Sequence, residues 1–529
     1  MRAIEKASLW LLLAASAWLV GCASLPERPA ESVPVHSDNT DGTRLGRVVA
    51  PFVAEHPGLS GVFPLERGVD AFAARMALAS AAERSLDVQY YIWRPDDSGK
   101  LLADQLIQAA DRGVHVRVLL DDIGAAASDT SLLALDSHTN IEVRLFNPVS
   151  HRRFRKLSFL FEFGRANRRM HNKSFTVDNQ VTIIGGRNIG DEYFGASSSV
   201  EFADFDVLAV GPVVAAATSA FELYWRSPSS VPISFFTAKK VSPQLITQRR
   251  AALAAHREMM GDTAFGRAAR DSRLMGGLPG LKLELSWGRA WLMYDLPDKV
   301  ATSPENRATH LAPQLRPVAD AAEREVIVVS PYFVPGKQGV SFFQVLRKRG
   351  VRVVIITNSL AATDVVAVHA GYRRYRKALL HEGVQLYETK ASRRSEAPSG
   401  QDKHSRGQGR GSSRASLHAK TFVFDQRLLF VGSMNLDPRS VSLNTEIGAI
   451  FEVPDLAVRV VDAIEGRLLH DAYRLEFVPG PGPSKKSGRI NWLSEDNGRT
   501  LRYKREPGAS FGRRFQVWLL SLFPIESQL

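Results

Sequence analysis

The stretch His171-Asn172-Lys173-Ser174-Phe175-Thr176-Val177-Asp178 recurs as His418-Ala419-Lys420-Thr421-Phe422-Val423-Phe424-Asp425. Both copies read His-x-Lys-[Ser/Thr]-Phe-x-x-Asp. Each runs into a short apolar segment and a glycine turn ending in Asn188 or Asn435, at the same offset from the histidine. One match would mean little in a chain with 13 histidines, but two with the same trailing turn mark two similar halves.

These residue types suit phosphodiester chemistry. Negative charge builds on the oxygens as phosphorus becomes five-coordinate, and cationic donors aimed at them stabilise it. Lys173 and Lys420 can supply that charge, and Asn188 and Asn435 can add amide donors. A neutral imidazole can attack phosphorus and form a covalent phospho-histidine. A second, protonated imidazole on the opposite face can give a proton to the leaving alkoxide. Strand alternation would put His and Lys of each motif on one face, with Phe175 and Phe422 in the core on the other.

The motifs resemble those of the phospholipase D superfamily, and the chain is most similar there to the bacterial cardiolipin synthases. The closer match is carried by residues 86–93 (LDVQYYIW), 168–175 (RRMHNKSF), 358–364 (NSLAATD), 368–372 (VHAGY) and 415–422 (ASLHAKTF). The resemblance implies two similar α/β lobes related by a pseudo-twofold axis, with one active site at their interface that needs neither metal nor cofactor. It implies His171 as nucleophile and His418 as acid, although the repeat itself leaves their order open. It implies that Asp178 and Asp425 support the site without moving protons. An imidazole nucleophile also needs an orienting partner on its other nitrogen. Glu446, in Asn444-Thr445-Glu446, resembles the family's acidic orienter. In the first half Glu201 and Asp204 are both candidates.

The resemblance further implies phospholipid substrates, phosphatidylglycerol and as a further candidate phosphatidylethanolamine, and leaves donor and acceptor open. Transfer to phosphatidylglycerol would yield cardiolipin, whereas transfer to water would make the enzyme a phospholipase D releasing phosphatidic acid. A nuclease and a catalytically silent envelope lipoprotein are the remaining readings. Both motifs lie in one chain, so a monomer suffices.

Composition agrees. The chain has 529 residues, 44% apolar, enough for two cores. Its one cysteine excludes an intrachain disulfide and a thiolate metal cluster. A formal net charge of +13 suits an anionic partner, lipid headgroup or nucleic acid. The amino terminus favours lipid. Arg2 and Lys6 flank an apolar run over 7–20, too short for a comfortable membrane span, and residues 19–22 resemble a lipobox ending in Cys22. That implies cleavage before Cys22, lipid on its sulfur and, with Ala23 following, an outer-membrane protein of a bacterial envelope facing the periplasm. No nucleic-acid partner is expected.

The elements that must position the site follow from periodicity and punctuation. A signal over 1–21 and a flexible tether over 22–65 precede a first lobe over 66–235. A connecting segment over 236–305, a second lobe over 306–475 and a tail over 476–529 complete the chain. In the first lobe the pattern gives a helix at 69–82, a strand at 86–93, a helix at 101–111 stopped by Gly113, and a strand at 114–120. The second repeats the order at 326–329, 340–349 and 351–357, with Ala322-Glu323-Arg324 echoing Ala82-Glu83-Arg84. Strands alternating with helices predict a mixed, largely parallel sheet flanked by helices in each lobe. The loop over 391–414 reads as a solvated charge run, or as a guide for anionic headgroups. Arginines and phenylalanines interleaved over 152–169 suit a membrane surface, or stacking on nucleic-acid bases; the tail, which repeats the theme, favours the membrane. The tail helix, with Phe511, Phe515, Trp518 and Leu522 on one face, suits either a membrane interface or docking on the core.

Overall fold

The computed structural model describes residues 40–529 except 151, 198–199, 237–240, 278–279, 281, 394–413, 481–487, 497 and 525. Cys22 with the expected signal, and most of the basic loop over 391–414, lie outside the described residues.

Two large mixed sheets carry the two halves. The first has nine strands in the order Ser286–Gly288, Ser60–Leu65, Asp206–Val210, Val181–Gly185, Ser174–Val177, Ser85–Tyr90, His115–Asp121, Ile141–Phe146, Ser230–Pro232. The second has ten: Ala290–Tyr294, Ile447–Glu452, Leu428–Gly432, Thr421–Phe424, Glu325–Val329, Arg352–Asn358, Gln385–Thr389, Ala472–Pro479, Gly488–Asp496, Arg499–Tyr503. Each sheet has a parallel trio, led by Ser85–Tyr90 and by Glu325–Val329. Helix Asp97–Asp111 connects the first two strands of one trio and Gly336–Lys348 those of the other. Each helix stops before a glycine with positive φ, Gly113 at 95° and Gly350 at 85°.

The remaining pairings within these two sheets are antiparallel, a larger share than the alternation of strands and helices implied. The reason lies in the repeated motif. Its final aspartate opens a two-residue turn in which both central residues have positive φ, Asp178 (49°) with Asn179 (51°) and Asp425 (55°) with Gln426 (53°). Such a turn folds the motif strand straight back on the next one. The aspartate does a second job. Asp178 accepts from the backbone N–H groups of Glu83, Arg84 and Ser85, and Asp425 from those of Glu323, Arg324 and Glu325. The Ala-Glu-Arg echo marks these two receiving sites. Asp178→Ala should therefore lower stability by about 3 kcal/mol, by stranding three donors and straining the turn. Thermal unfolding measures that loss, while turnover per folded molecule should change less than about tenfold.

The tether reading is corrected from residue 44 onward. Arg44–Glu55 is a helix capped by the Thr43 side chain, and Ser60–Leu65 is a strand inside the first sheet, with Val62 and Leu65 fully buried. Pro51 within the helix and Gly61 and Pro64 within the strand break the periodicity that would have revealed them. The connecting segment is structural too. It closes one edge of the first sheet at Ser286–Gly288 and crosses directly to the second at Ala290–Tyr294.

Alternation along the strands divides the core. Phe175, Ile183 and Leu208 face the helices of the first half, and Phe422, Phe424 and Phe430 those of the second. The opposite faces meet in one shared apolar cluster that includes Ile184, Val207 and Ala209 from one sheet and Val423, Val431 and Ala449 from the other. Burying both faces together fixes the two halves against each other at the motif strands. Among the described residues no helix is long and apolar enough to cross a membrane.

Candidate active site

The two motifs meet where the halves join, and each is anchored by the other half's backbone. The His171 N–H donates to Thr445 O at 2.8 Å, and the His418 N–H to Ala203 O at 2.8 Å. Strand Val200–Ala203 of the first half pairs in parallel with Arg414–Leu417 of the second. His and Lys do not lie on a strand, as alternation had suggested. The strands begin one residue after each lysine, at Ser174 and Thr421. The lysine instead turns back on its own histidine: Lys173 Nζ donates to His171 O at 2.5 Å, and Lys420 Nζ to His418 O.

The acidic partners cross over. Glu446 of the second half lies 2.8 Å from Nδ1 of His171, through Oε2. Asp204 of the first half lies 2.5 Å from Nδ1 of His418, through Oδ2. Asp204 therefore occupies the position for which Glu201 also stood; the Glu201 backbone pairs with Ala415, and its side chain lies outside the described residues. Gly186 permits the approach, since a Cβ there would come within 2.2 Å of Asp204 Oδ1. The equivalent position in the other half is Ser433, whose hydroxyl donates to Glu446. Each carboxylate thus engages Nδ1 of its ring; Lys420 Nζ also lies 2.9 Å from Nδ1 and 3.2 Å from Nε2 of His418. Tyr91 meets the His171 ring edge-on at 5.1 Å, and Tyr193 meets His418 at 5.1 Å.

The asparagines are less alike than their spacing. Asn188 accepts from the Ile92 N–H and donates to the Tyr193 hydroxyl, so its amide holds the wall beside His418. Asn435 is buried, and its Oδ1 has no partner among the described residues.

Electrostatics separate the two histidines. Burial, then Lys173, Lys420 and His418, hold His171 well below its ordinary value, which favours neutral imidazole. Burial and Lys420 also lower His418, but Asp204 opposes them. Burial alone would raise Asp204; His418 and Lys420 outweigh it and hold the carboxyl well below its usual range. Glu446 goes the other way: burial pushes it up to about 7 against the pull of Lys173. Burial also presses Lys173 well down and Lys420 down to about 8. A phosphodiester arriving among these groups would favour the charged lysines.

Sequence reasoning missed the layer behind Glu446. The Glu446 N–H donates to Asp295 Oδ2 at 2.7 Å, and Asp295 is itself held by Lys299 at 2.9 Å and the Leu311 N–H at 2.6 Å. Tyr224 donates its hydroxyl to Asp295 O at 2.6 Å. Asp121 accepts from the Met170 N–H at 2.9 Å and so fixes the chain one residue before His171. The Asp121-Asp122 pair closing its strand was the one available signal.

The protein-family model described as "Cardiolipin synthase, PLD-like domain" matches residues 76–222 and 315–467, together more than half of the chain. Cardiolipin synthase C of Escherichia coli (strain K12) is 43% identical over 491 residues, covering 91% of this chain and 99% of that protein. An uncharacterized protein of Helicobacter pylori (strain J99) is 32% identical, over 95% of this chain and 96% of its own. Among solved structures, the phosphatidylserine synthase of Haemophilus influenzae Rd KW20 shares the fold, with a TM-score of 0.52 at 12% identity over 82% of this chain and 92% of that one. Both halves carry a matched domain and the E. coli relative matches 91% of the chain, so the chain belongs to the cardiolipin synthase family of phospholipase D-like enzymes.

Proposed function

We propose that the chain is a phosphatidyltransferase that makes cardiolipin, by transferring a phosphatidyl group to phosphatidylglycerol through a phosphatidyl-histidine. The observation that carries this reading is the pair of crossed carboxylate–imidazole contacts. They hold both rings through Nδ1, which makes Nε2 the reacting atom of each, one on a neutral ring and one on a ring whose proton an ionised carboxylate supports. Nε2 of His171 attacks phosphorus, and a P–N bond forms as the P–O bond to the departing headgroup alcohol breaks. His418 gives that oxygen its proton. The primary hydroxyl of phosphatidylglycerol then enters on the same side, loses its proton to His418 and displaces His171. Lys173 and Lys420 neutralise the charge on the non-bridging oxygens. One chain holds the whole set, so a monomer is sufficient.

The similarity to E. coli cardiolipin synthase C supports phosphatidylglycerol as acceptor. The test is to incubate purified protein with labelled phosphatidylglycerol, with and without phosphatidylethanolamine, and identify products by mass. Cardiolipin with release of glycerol or ethanolamine is expected, the released alcohol naming the donor. Phosphatidic acid alone would make the enzyme a hydrolase, and no lipid product would remove the reading.

We further propose that the chain works in the bacterial envelope, held at a membrane by lipid on Cys22. Cys22→Ala should block lipid attachment and processing, shifting mature protein to unprocessed precursor on a gel. A variant that migrates and partitions into detergent like the wild type would contradict the anchor.

A further inference from the structure

The tail helix Phe511–Leu520 is docked on the core and exposed at once. Val517 is fully buried against Leu360, Ala370 and Ala509, and Arg513 donates to the carbonyls of Ala361 and Thr363. Its other face stays open: Phe511 is 81% exposed, Phe515 52%, Trp518 51% and, just beyond, Leu522 61%. The part of this aromatic surface that stays in water gains nothing for the fold.

Beside the helix runs an open cleft lined by Arg373, Lys377, Arg489, Lys504, Arg505 and Arg514. These cations come from four separate stretches of the chain, so folding assembles them. Among the described residues the one carboxylate lining the cleft, Glu506, is already committed to Arg376 at 2.7 Å and His369 at 3.3 Å. Like charges gathered this way cost free energy unless an anion joins them. Arg514 belongs to both features, so the aromatic face and the cationic cleft are continuous.

A second apolar patch, with Leu157, Leu160, Phe161 and Phe163 exposed, lies just before the first histidine motif. The segment carrying it is joined to the carboxy-terminal end by Asn167, which donates to Gln528 at 2.7 Å. Arg439 holds the same junction, its guanidinium on Asn167 and its N–H on Leu529 O at 2.6 Å.

We propose that the open face of Phe511–Leu520 and the adjoining cationic cleft form a docking surface for a bilayer rich in anionic phospholipid. Aromatic and aliphatic side chains enter the headgroup–acyl boundary while the arginines and lysines meet headgroup phosphates. The surface is distinct from the two-histidine site, and its occupancy is read without turnover, so it stands or falls separately from the proposed transfer reaction.

The test uses the full chain with vesicles of brominated phosphatidylcholine, with or without phosphatidylglycerol. Bromine quenches tryptophan that enters the bilayer, and Trp518→Phe isolates the contribution of that ring. An amino-terminal anchor is common to all variants and cancels. Quenching that depends on Trp518 and on phosphatidylglycerol is expected. Phe515→Ser with Leu522→Ser should weaken vesicle partition about a hundredfold. Arg489→Gln with Lys504→Gln should weaken it about thirtyfold and remove the preference for anionic vesicles. All four side chains are exposed or at the rim, so unfolding midpoints and turnover of a soluble short-chain donor should stay unchanged. Equal quenching in Trp518→Phe would overturn the proposal. So would partition unaffected by both pairs, or a cleft that binds an oligonucleotide and ignores vesicles.

Discussion

His171→Ala should lower phosphatidyl transfer by about 10⁴-fold or more with every donor, because no phospho-enzyme can form without the attacking ring. His418→Ala should look different. With a natural lipid, whose leaving alkoxide is a strong base, the loss should again be about 10³-fold or more. A donor with a nitrophenolate leaving group needs no proton, so the first step should proceed within about tenfold of wild type. A burst of nitrophenolate followed by a stall is then expected, since the acceptor hydroxyl has lost its base. Stopped-flow absorbance of the two variants on the two donors reads all four outcomes. Equal sensitivity of both variants to both donors would remove the division of labour between the rings.

The crossed carboxylates predict an unequal pair of amide variants. Asp204 is ionised throughout the working pH range and supports the proton on His418. Asp204→Asn removes that charge and can leave the ring in the wrong tautomer, so a loss of about 10³-fold is expected with natural donors. Glu446 is pushed up to about 7 by burial. Its folded-state pKa lies above its ordinary value, so the carboxyl is protonated below pH 7 and ionises as pH rises through that point. Glu446→Gln therefore mimics the protonated form and should cost about tenfold near pH 6, the deficit widening above pH 7 as the native carboxylate gains charge. The pH profiles of the two variants give the comparison. Equal losses at every pH would mean that the two dyads are electrostatically alike.

The sequence revealed what is local. Each motif, the echo of Ala82-Glu83-Arg84 at Ala322-Glu323-Arg324, and the helix stops at Gly113 and Gly350 are written within a few residues; the helix stops sit where periodicity placed them, whereas the histidine and lysine of each motif lie just before the strand that alternation gave them. Phe175 and Phe422 could be placed in the core because strand alternation is a local rule. The pairing of acid with imidazole was not legible, because it is a property of sheet register rather than spacing. Gly185 lies opposite Asp206, and Gly432 opposite Gly448; each orienting acid sits two residues before that partner. The stretch from helix Asp191–Phe194 to Asp204 is longer than that from the matching helix Pro438–Ser442 to Glu446, so counting from the histidine could not choose between Glu201 and Asp204. Asp295 and Lys299 escaped for a similar reason: they belong to no repeat, and only folding carries them behind Glu446. The strand at Ser60–Leu65 was hidden by its own Gly61 and Pro64, which read as linker until both neighbouring strands are in place.

The most direct test of the covalent account is to map the adduct. The His418→Ala variant, incubated with a nitrophenyl phosphatidyl donor and quenched in alkali to preserve the P–N bond, should carry one phosphatidyl group on the peptide containing His171. Added phosphatidylglycerol should not discharge it at the wild-type rate. A phosphatidyl group on His418 in the His171→Ala variant would reverse the two roles, and full turnover with no adduct on either histidine would contradict the covalent mechanism.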